Sequence, residues 1–142
     1  MPETTETTTF ARPAQEVFEL VADFGNLADW DPMFDESMRL DEGPLDVGSR
    51  FKVKGSMAGK AIELDMEVVE YNHPQRIVVK GTGDGLRTKE DISVAPTAEG
   101  CEVTYHSAFE TDKPDMVDAA TKPAFVAIGK RAINGMQEWI RG

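Results

Sequence analysis

The chain has 142 residues, 26 of them Asp or Glu against 15 Lys or Arg, for a formal net charge of -11. One domain over residues 1–142 is expected, long enough to bury a core of its own. The acidic balance excludes a nucleic-acid partner and attraction to an anionic membrane surface, since both need a basic face, and the single cysteine, Cys101, excludes an internal disulfide and suits a reducing cytoplasm.

The opening MPETTETTTF has neither a basic start nor an apolar run, so it reads as neither a signal peptide nor a membrane span. Its threonines favour a first strand. Pro13 suits the first turn of a helix. Val17, Leu20, Val21 and Phe24 then fall at helical spacing, with Phe18 beside them. Asp23 can cap a second short helix carrying Leu27 and Trp30, and Pro32 ends it. Trp30, Met33 and Phe34 follow in what reads as a loop, where large apolar side chains are unusual. Either they cap the core or they line a space for an apolar guest.

From about residue 36 the period changes to two. SMRLDE is a short strand; GSRFKVKGSM and KAIELDMEVVEY are longer and meet at a tight turn, Ala58–Gly59. Folding about that turn sets Lys54 against Glu63, Lys52 against Asp65 and Arg50 against Glu67. The other face pairs Val53 with Leu64, Phe51 with Met66 and Gly55 with Ile62. Opposite charges on one face and apolar groups on the other specify the register. RIVVKGTG and LRTKEDISVAP follow, joined through GDG, and GCEVTYHSAFETD comes after Glu99–Gly100. From about Asp115 to Ile140 the chain reads as one long helix. Phe125, Ile128, Ala132, Met136 and Trp139 make an apolar stripe, widened by Val126, Gly129, Ile133 and Ile140. Pro123 should kink or break its first turns. The elements predict an α+β fold: an antiparallel sheet, apolar on one face, curved around the long helix.

Few residues carry recognisable chemistry. His73, His106 and Cys101 are the only imidazole and thiol groups and lack zinc-site spacing, so no metal is expected. Cys101 and His106 lie an odd number apart on one strand and face opposite ways, which makes a poor dyad. GTGDG lacks the ending of a phosphate loop and leads into no helix; it reads as a hairpin turn. The informative set is on the last two strands. Ile92 and Val94 put Thr88 and Glu90 on the apolar face, and Val103 and Phe109 bring Tyr105 and Ser107 to it. A carboxylate, a phenol and two hydroxyls then face an apolar interior and need a partner, be it ligand, water or one another. The alternative is that Glu90 sits at a strand end in solvent. Lys122 and Lys130 are possible charge partners. Met57, Met66, Met116 and Met136 read either as plain core or as an adaptable lining.

ARPAQEVFELVADFGNLADWDP, VGSRF, VVEYNHPQRIVV and GCEVTYH, followed by the terminal helix, resemble the START/birch-pollen-allergen superfamily, in its bacterial polyketide cyclase/dehydrase and lipid-transport branch. Arg12 departs from that pattern, standing where a small capping residue is usual. The resemblance implies a helix-grip fold with about seven strands and two short helices after the first. It also implies a deep cavity between sheet and long helix, with the loop after the second helix at its mouth. The candidate ligand-binding residues are Trp30, Met33, Phe34, Phe51, Met66, Thr88, Glu90, Tyr105, Ser107 and Phe125. The expected function is binding or transport of a small hydrophobic or amphipathic ligand, such as a lipid, polyketide or isoprenoid, without a cofactor or stable membrane insertion. One alternative is a polyketide cyclase or aromatase in which Glu90 and Tyr105 move protons. Another is a protein-interaction module, which exposed apolar surface on the long helix would favour.

Overall fold

The alternating strands and the late helical stripe produce one curved sheet with a helix across its apolar side. The computed structural model describes residues 2–57, 59–114 and 122–142, with Lys122 described in its backbone alone. The order is β1 (Glu3–Phe10), α1 (Ala14–Ala22), a single 3-10 turn (Phe24–Asn26), α2 (Leu27–Trp30), β2 (Phe34–Arg39), β3 (Arg50–Met57), β4 (Lys60–Asn72), β5 (Arg76–Gly83), β6 (Leu86–Thr97), β7 (Gly100–Thr111) and α3 (Lys122–Arg141). The seven strands form one sheet in the order β1-β7-β6-β5-β4-β3-β2. Every neighbouring pair is antiparallel. This is the helix-grip architecture, with two short helices after the first strand.

The β3–β4 register is the one the charges specify: Lys52 opposite Asp65, Lys54 opposite Glu63, Phe51 opposite Met66 and Val53 opposite Leu64. Phe51, Val53, Ile62, Leu64 and Met66 are all buried. Gly59 turns the hairpin with a positive φ, and Ala58 lies outside the described residues. GTGDG is a hairpin turn between β5 and β6, where Asp84 and Gly85 take the left-handed conformation. The Asp84 carboxylate accepts a hydrogen bond from the Glu63 backbone N–H at 2.8 Å, tying the turn to β4.

Several boundaries move. The strand expected at SMRLDE begins earlier, at Phe34, because β2 pairs with β3 through a register shift between Phe34 and Glu36. Phe34 therefore belongs to a strand and Trp30 ends α2, which leaves only Asp31, Pro32 and Met33 as loop. Phe24 falls in the 3-10 turn, where Asp23 caps through the Gly25 N–H. Helix α1 starts after Pro13 without a side-chain cap, and Arg12 instead pairs with Glu16 along the helix. The expected long helix is described from Lys122, one residue before Pro123. The part expected from Asp115, with Met116, lies outside the described residues.

Helix α3 packs on β1 and α2. Phe125, Gly129, Ala132, Ile133, Met136 and Ile140 are buried, while Val126, Ile128 and Trp139 are half-buried. The apolar stripe is thus spent on this protein's own core, so the exposed apolar helix that would favour an interaction module is not found among the described residues.

Candidate functional site

Two glycines place the short segment between α2 and β2. A side chain at Gly135 of α3 would overlap the Trp30 carbonyl, and one at Gly55 of β3 would overlap the Met33 carbonyl. Their bare backbones let both carbonyls come close, and the Met33 carbonyl accepts the Ser56 N–H at 3.0 Å. The segment is closed locally by Asp31, whose backbone N–H donates to the Leu27 carbonyl and whose side chain accepts the Met33 N–H at 3.0 Å. Asp31 is thereby held inward and buried.

On the sheet, β6 and β7 bring the rest. Glu90 stands opposite Ser107, Thr88 opposite Phe109 and Ile92 opposite Tyr105. Glu90 is only 9% exposed, and Tyr105 and Ser107 are buried with it. The Tyr105 hydroxyl donates to Glu90 Oε2 at 2.6 Å, a length typical of a charge-assisted bond. The alternative that Glu90 points into solvent is therefore wrong.

Asp31, Thr88, Glu90, Tyr105 and Ser107 line one cavity between the sheet and α3, together with Thr4 of β1. The rest of its wall is largely apolar, including Met33, Phe34, Met57, Leu64, Phe109 and Phe125. Phe109 and Phe125 meet at a ring-centroid distance of 4.9 Å and close one side. The room open to the centre of a water molecule is about 20 Å³. That is enough for roughly one water, so the deep cavity implied by the resemblance is nearly shut. Large side chains fill it.

Burial dominates the electrostatics. It lifts the Glu90 carboxyl to about 7, against the opposing effect of the Tyr105 and Ser107 hydroxyls; the nearby Asp31 charge pushes the same way as burial. Burial likewise lifts Asp31 to about 6, opposed by the Met33 N–H and by Arg131. The Tyr105 phenol is held well above its ordinary value by burial and by both carboxylates. Around neutral pH the cluster therefore holds or releases protons easily. The Thr88 hydroxyl is buried and has no hydrogen-bond partner among the described residues, and neither has Trp30 Nε1.

Seven of the ten candidate residues meet at this cavity: Met33, Phe34, Thr88, Glu90, Tyr105, Ser107 and Phe125. The other three are core. Trp30 packs edge-on against Tyr105 at 5.7 Å, behind the cavity wall. Phe51 packs on Phe24 at 6.3 Å. Met66 is buried beside Gly81 on the same face as Thr88, where a Cβ at that glycine would meet both side chains, but it does not line the cavity. Met57 lines the cavity, whereas Met66 and Met136 are core. Lys130 is not a partner for Glu90, being exposed and beside Glu6 at 3.9 Å; the Lys122 side chain lies outside the described residues. Cys101 is fully buried, while His106 is partly exposed and turned toward Glu3 at 3.9 Å, so they form no dyad. No group of three or more metal-ligating side chains occurs among the described residues. Asp31 was missed by sequence reasoning. Its only signal was its place between Trp30 and Met33, two apolar residues already suspected of facing inward.

A curved antiparallel sheet closed by a C-terminal helix over a polar cluster defines a START-like, helix-grip protein. The sequence matches the model of the polyketide cyclase/dehydrase and lipid transport family over residues 1–138, and the chain belongs to that family. No curated protein sequence matches it. Among solved structures it is similar to TTHA0849 from Thermus thermophilus, with TM-score 0.80 and 17% identity over 98% of this chain and 97% of that one. A START superfamily protein from Mycobacterium smegmatis gives TM-score 0.72 and 15% identity over 97% and 93%. The Zhui aromatase/cyclase from Streptomyces sp. R1128 gives TM-score 0.69 and 18% identity over 98% and 93%. At these identities the likeness establishes the fold. No described helix is long and apolar enough to cross a membrane.

Proposed function

We propose that the chain binds a small hydrophobic or amphipathic ligand, of the lipid, polyketide or isoprenoid kind, with its polar end on Glu90, Tyr105, Ser107 and Thr88. One observation carries this reading: a hydrogen-bonding cluster, with a buried Thr88 hydroxyl that has no partner among the described residues, faces a largely apolar wall. A purely structural core would replace such groups with apolar ones, because unpaired burial costs about 1–3 kcal/mol per group. Met33 and Met57 give the wall side chains that can rearrange around a guest.

The cyclase reading is favoured by a different observation. A carboxyl at about 7, 2.6 Å from a phenol, is poised for proton transfer near neutral pH. Glu90→Gln separates the two. The ligand that co-purifies with fresh protein is identified by native mass spectrometry, and its affinity and turnover are compared in wild type and variant. A carrier keeps its affinity within a few-fold and shows no turnover in either. Turnover in the wild type that falls by about 100-fold or more with binding intact makes Glu90 a catalytic base and overturns the carrier reading.

A further inference from the structure

We infer that the cavity selects ligands whose polar end donates hydrogen bonds and carries no negative charge, a protonated amine above all, and turns away carboxylates and phosphates. The inference rests on the binding function proposed above and adds the chemical class of the head group.

The warrant is the balance of donors and acceptors around one small space. Two carboxylates, Asp31 and Glu90, line it, one from the segment after α2 and one from β6. The donors nearest to them are already committed. The Tyr105 hydroxyl gives its proton to Glu90, and the Met33 N–H gives its proton to Asp31. The surface contributed by α3 is apolar: Phe125, Ile128, Gly129 and Ala132. Among the described residues no Lys, Arg or His lines the cavity. Arg131, the one cation that acts on Asp31 among the described residues, is exposed on α3 and borders the outer groove between α2 and α3. An incoming carboxylate or phosphate would therefore meet two like groups and no cation, with only hydroxyls such as that of Thr88 to replace its lost water. An ammonium would find acceptors on both carboxylates and on the Thr88 hydroxyl, which has no partner among the described residues.

The pH dependence follows from the same groups. Those facing the space are Asp31, Glu90 and Tyr105; the phenol keeps its proton throughout the working range. As pH rises from about 5.5 to about 8, Asp31 and Glu90 ionise. Affinity for an ammonium must rise over that window, affinity for an alcohol must change less, and any affinity for a carboxylate must fall.

The test uses the full-length protein, the uncharged dye Nile red, and octylammonium, octanol and octanoate as competitors in physiological salt. The expected result is saturable Nile red binding, with octylammonium displacing the dye at a concentration about tenfold or more below that of octanoate at pH 8. Octanol should fall between them. Asp31→Asn with Glu90→Gln should bring the two charged competitors within about threefold of each other, and retained Nile red binding shows that this variant is folded. Glu63→Gln, on the exposed face of β4, should keep the tenfold preference, whereas losing it there would mean that octylammonium merely collects on the acidic surface and would overturn the inference. Octanoate competing as well as octylammonium in the wild type overturns the inference and leaves the binding function standing. Failure of Nile red and of every competitor to bind overturns the binding function itself.

Discussion

Glu90 shows what a single residue reveals in sequence and what it hides. Its inward direction was legible because Ile92 and Val94 fix the phase of a regular strand, and the phase of β7 placed Tyr105 and Ser107 beside it. Asp31 is a second carboxyl at the same cavity, yet no residue pattern assigns it a face, because it sits in a three-residue connection with no period. The two carboxyls make a prediction about stability. Both are raised in the folded state, Glu90 to about 7 and Asp31 to about 6, from ordinary values of 4.5 and 3.8. Between the unfolded and folded values the native protein binds more protons than the unfolded chain. Their contribution to stability is therefore fully present below about pH 4 and is lost as pH rises through 6 to 7. Glu90→Gln removes one titrating group. Urea unfolding from pH 4.5 to 8 should show the wild type losing roughly 1–3 kcal/mol more than the variant over that range. Parallel curves would mean that Glu90 is already ionised at low pH and is not desolvated as its burial requires. Exposed carboxylates such as Asp41 and Asp112, held low by Arg39 and Arg87, slope the other way but are common to both proteins.

At the scale of elements, legibility tracks regularity. The β3–β4 hairpin could be registered residue by residue because charges and apolar groups alternate without interruption, although the charges themselves contribute little. Lys52 lies 3.5 Å from Glu63 and 3.8 Å from Asp65, all three substantially exposed, and such pairs are worth about 0–1 kcal/mol. Their value was informational. The start of β2 escaped for the converse reason: the register shift after Phe34 breaks alternation, so the strand signal resumes only near Ser37. The fit of α3 to the Trp30–Phe34 segment was equally silent, since a helical glycine does not announce what approaches it. Gly135→Ala tests that fit. Helix propensity alone favours alanine by about 1 kcal/mol, but the new methyl would meet the Trp30 carbonyl, backbone that cannot swing aside. Overpacking should win and lower stability by about 1–3 kcal/mol in chemical denaturation. It should also shift the Trp30–Tyr105 contact, seen as a change in near-ultraviolet circular dichroism. A stabilised variant would show that α2 and α3 do not approach so closely.

For the whole molecule, the question is how a nearly closed interior admits a guest. Ligand pockets usually enclose about 300–1,000 Å³, whereas the space beside Glu90 holds roughly one water. The sequence could place an apolar sheet face opposite an apolar helix, but periodicity carries no information on whether the side chains between them interlock or leave a gap. A sheet bonded continuously from β1 to β2 is hard to part, because separating strands breaks rows of backbone hydrogen bonds in a dry interior. Helix α3 is held to β1 by side-chain packing and by few polar ties among the described residues, such as Gln137 to Thr8 at 2.7 Å. Lifting α3 from β1 is thus the less costly way to open the cavity. A reversible tether tests it. A Cβ added at Gly129 would stand 3.3 Å from the Thr4 Cβ, near the separation of about 3.5–4.5 Å that a disulfide spans. In the Thr4→Cys, Gly129→Cys protein, the oxidised and reduced forms place almost the same atoms at the cavity wall and differ in whether the helix can leave the strand. Stopped-flow mixing with Nile red should then show association at least about tenfold slower in the oxidised form, with the rate restored by reductant, as expected when binding requires a conformational opening. Equal rates in the two forms would place the entrance elsewhere, because no motion of α3 away from β1 at Thr4 could then precede entry.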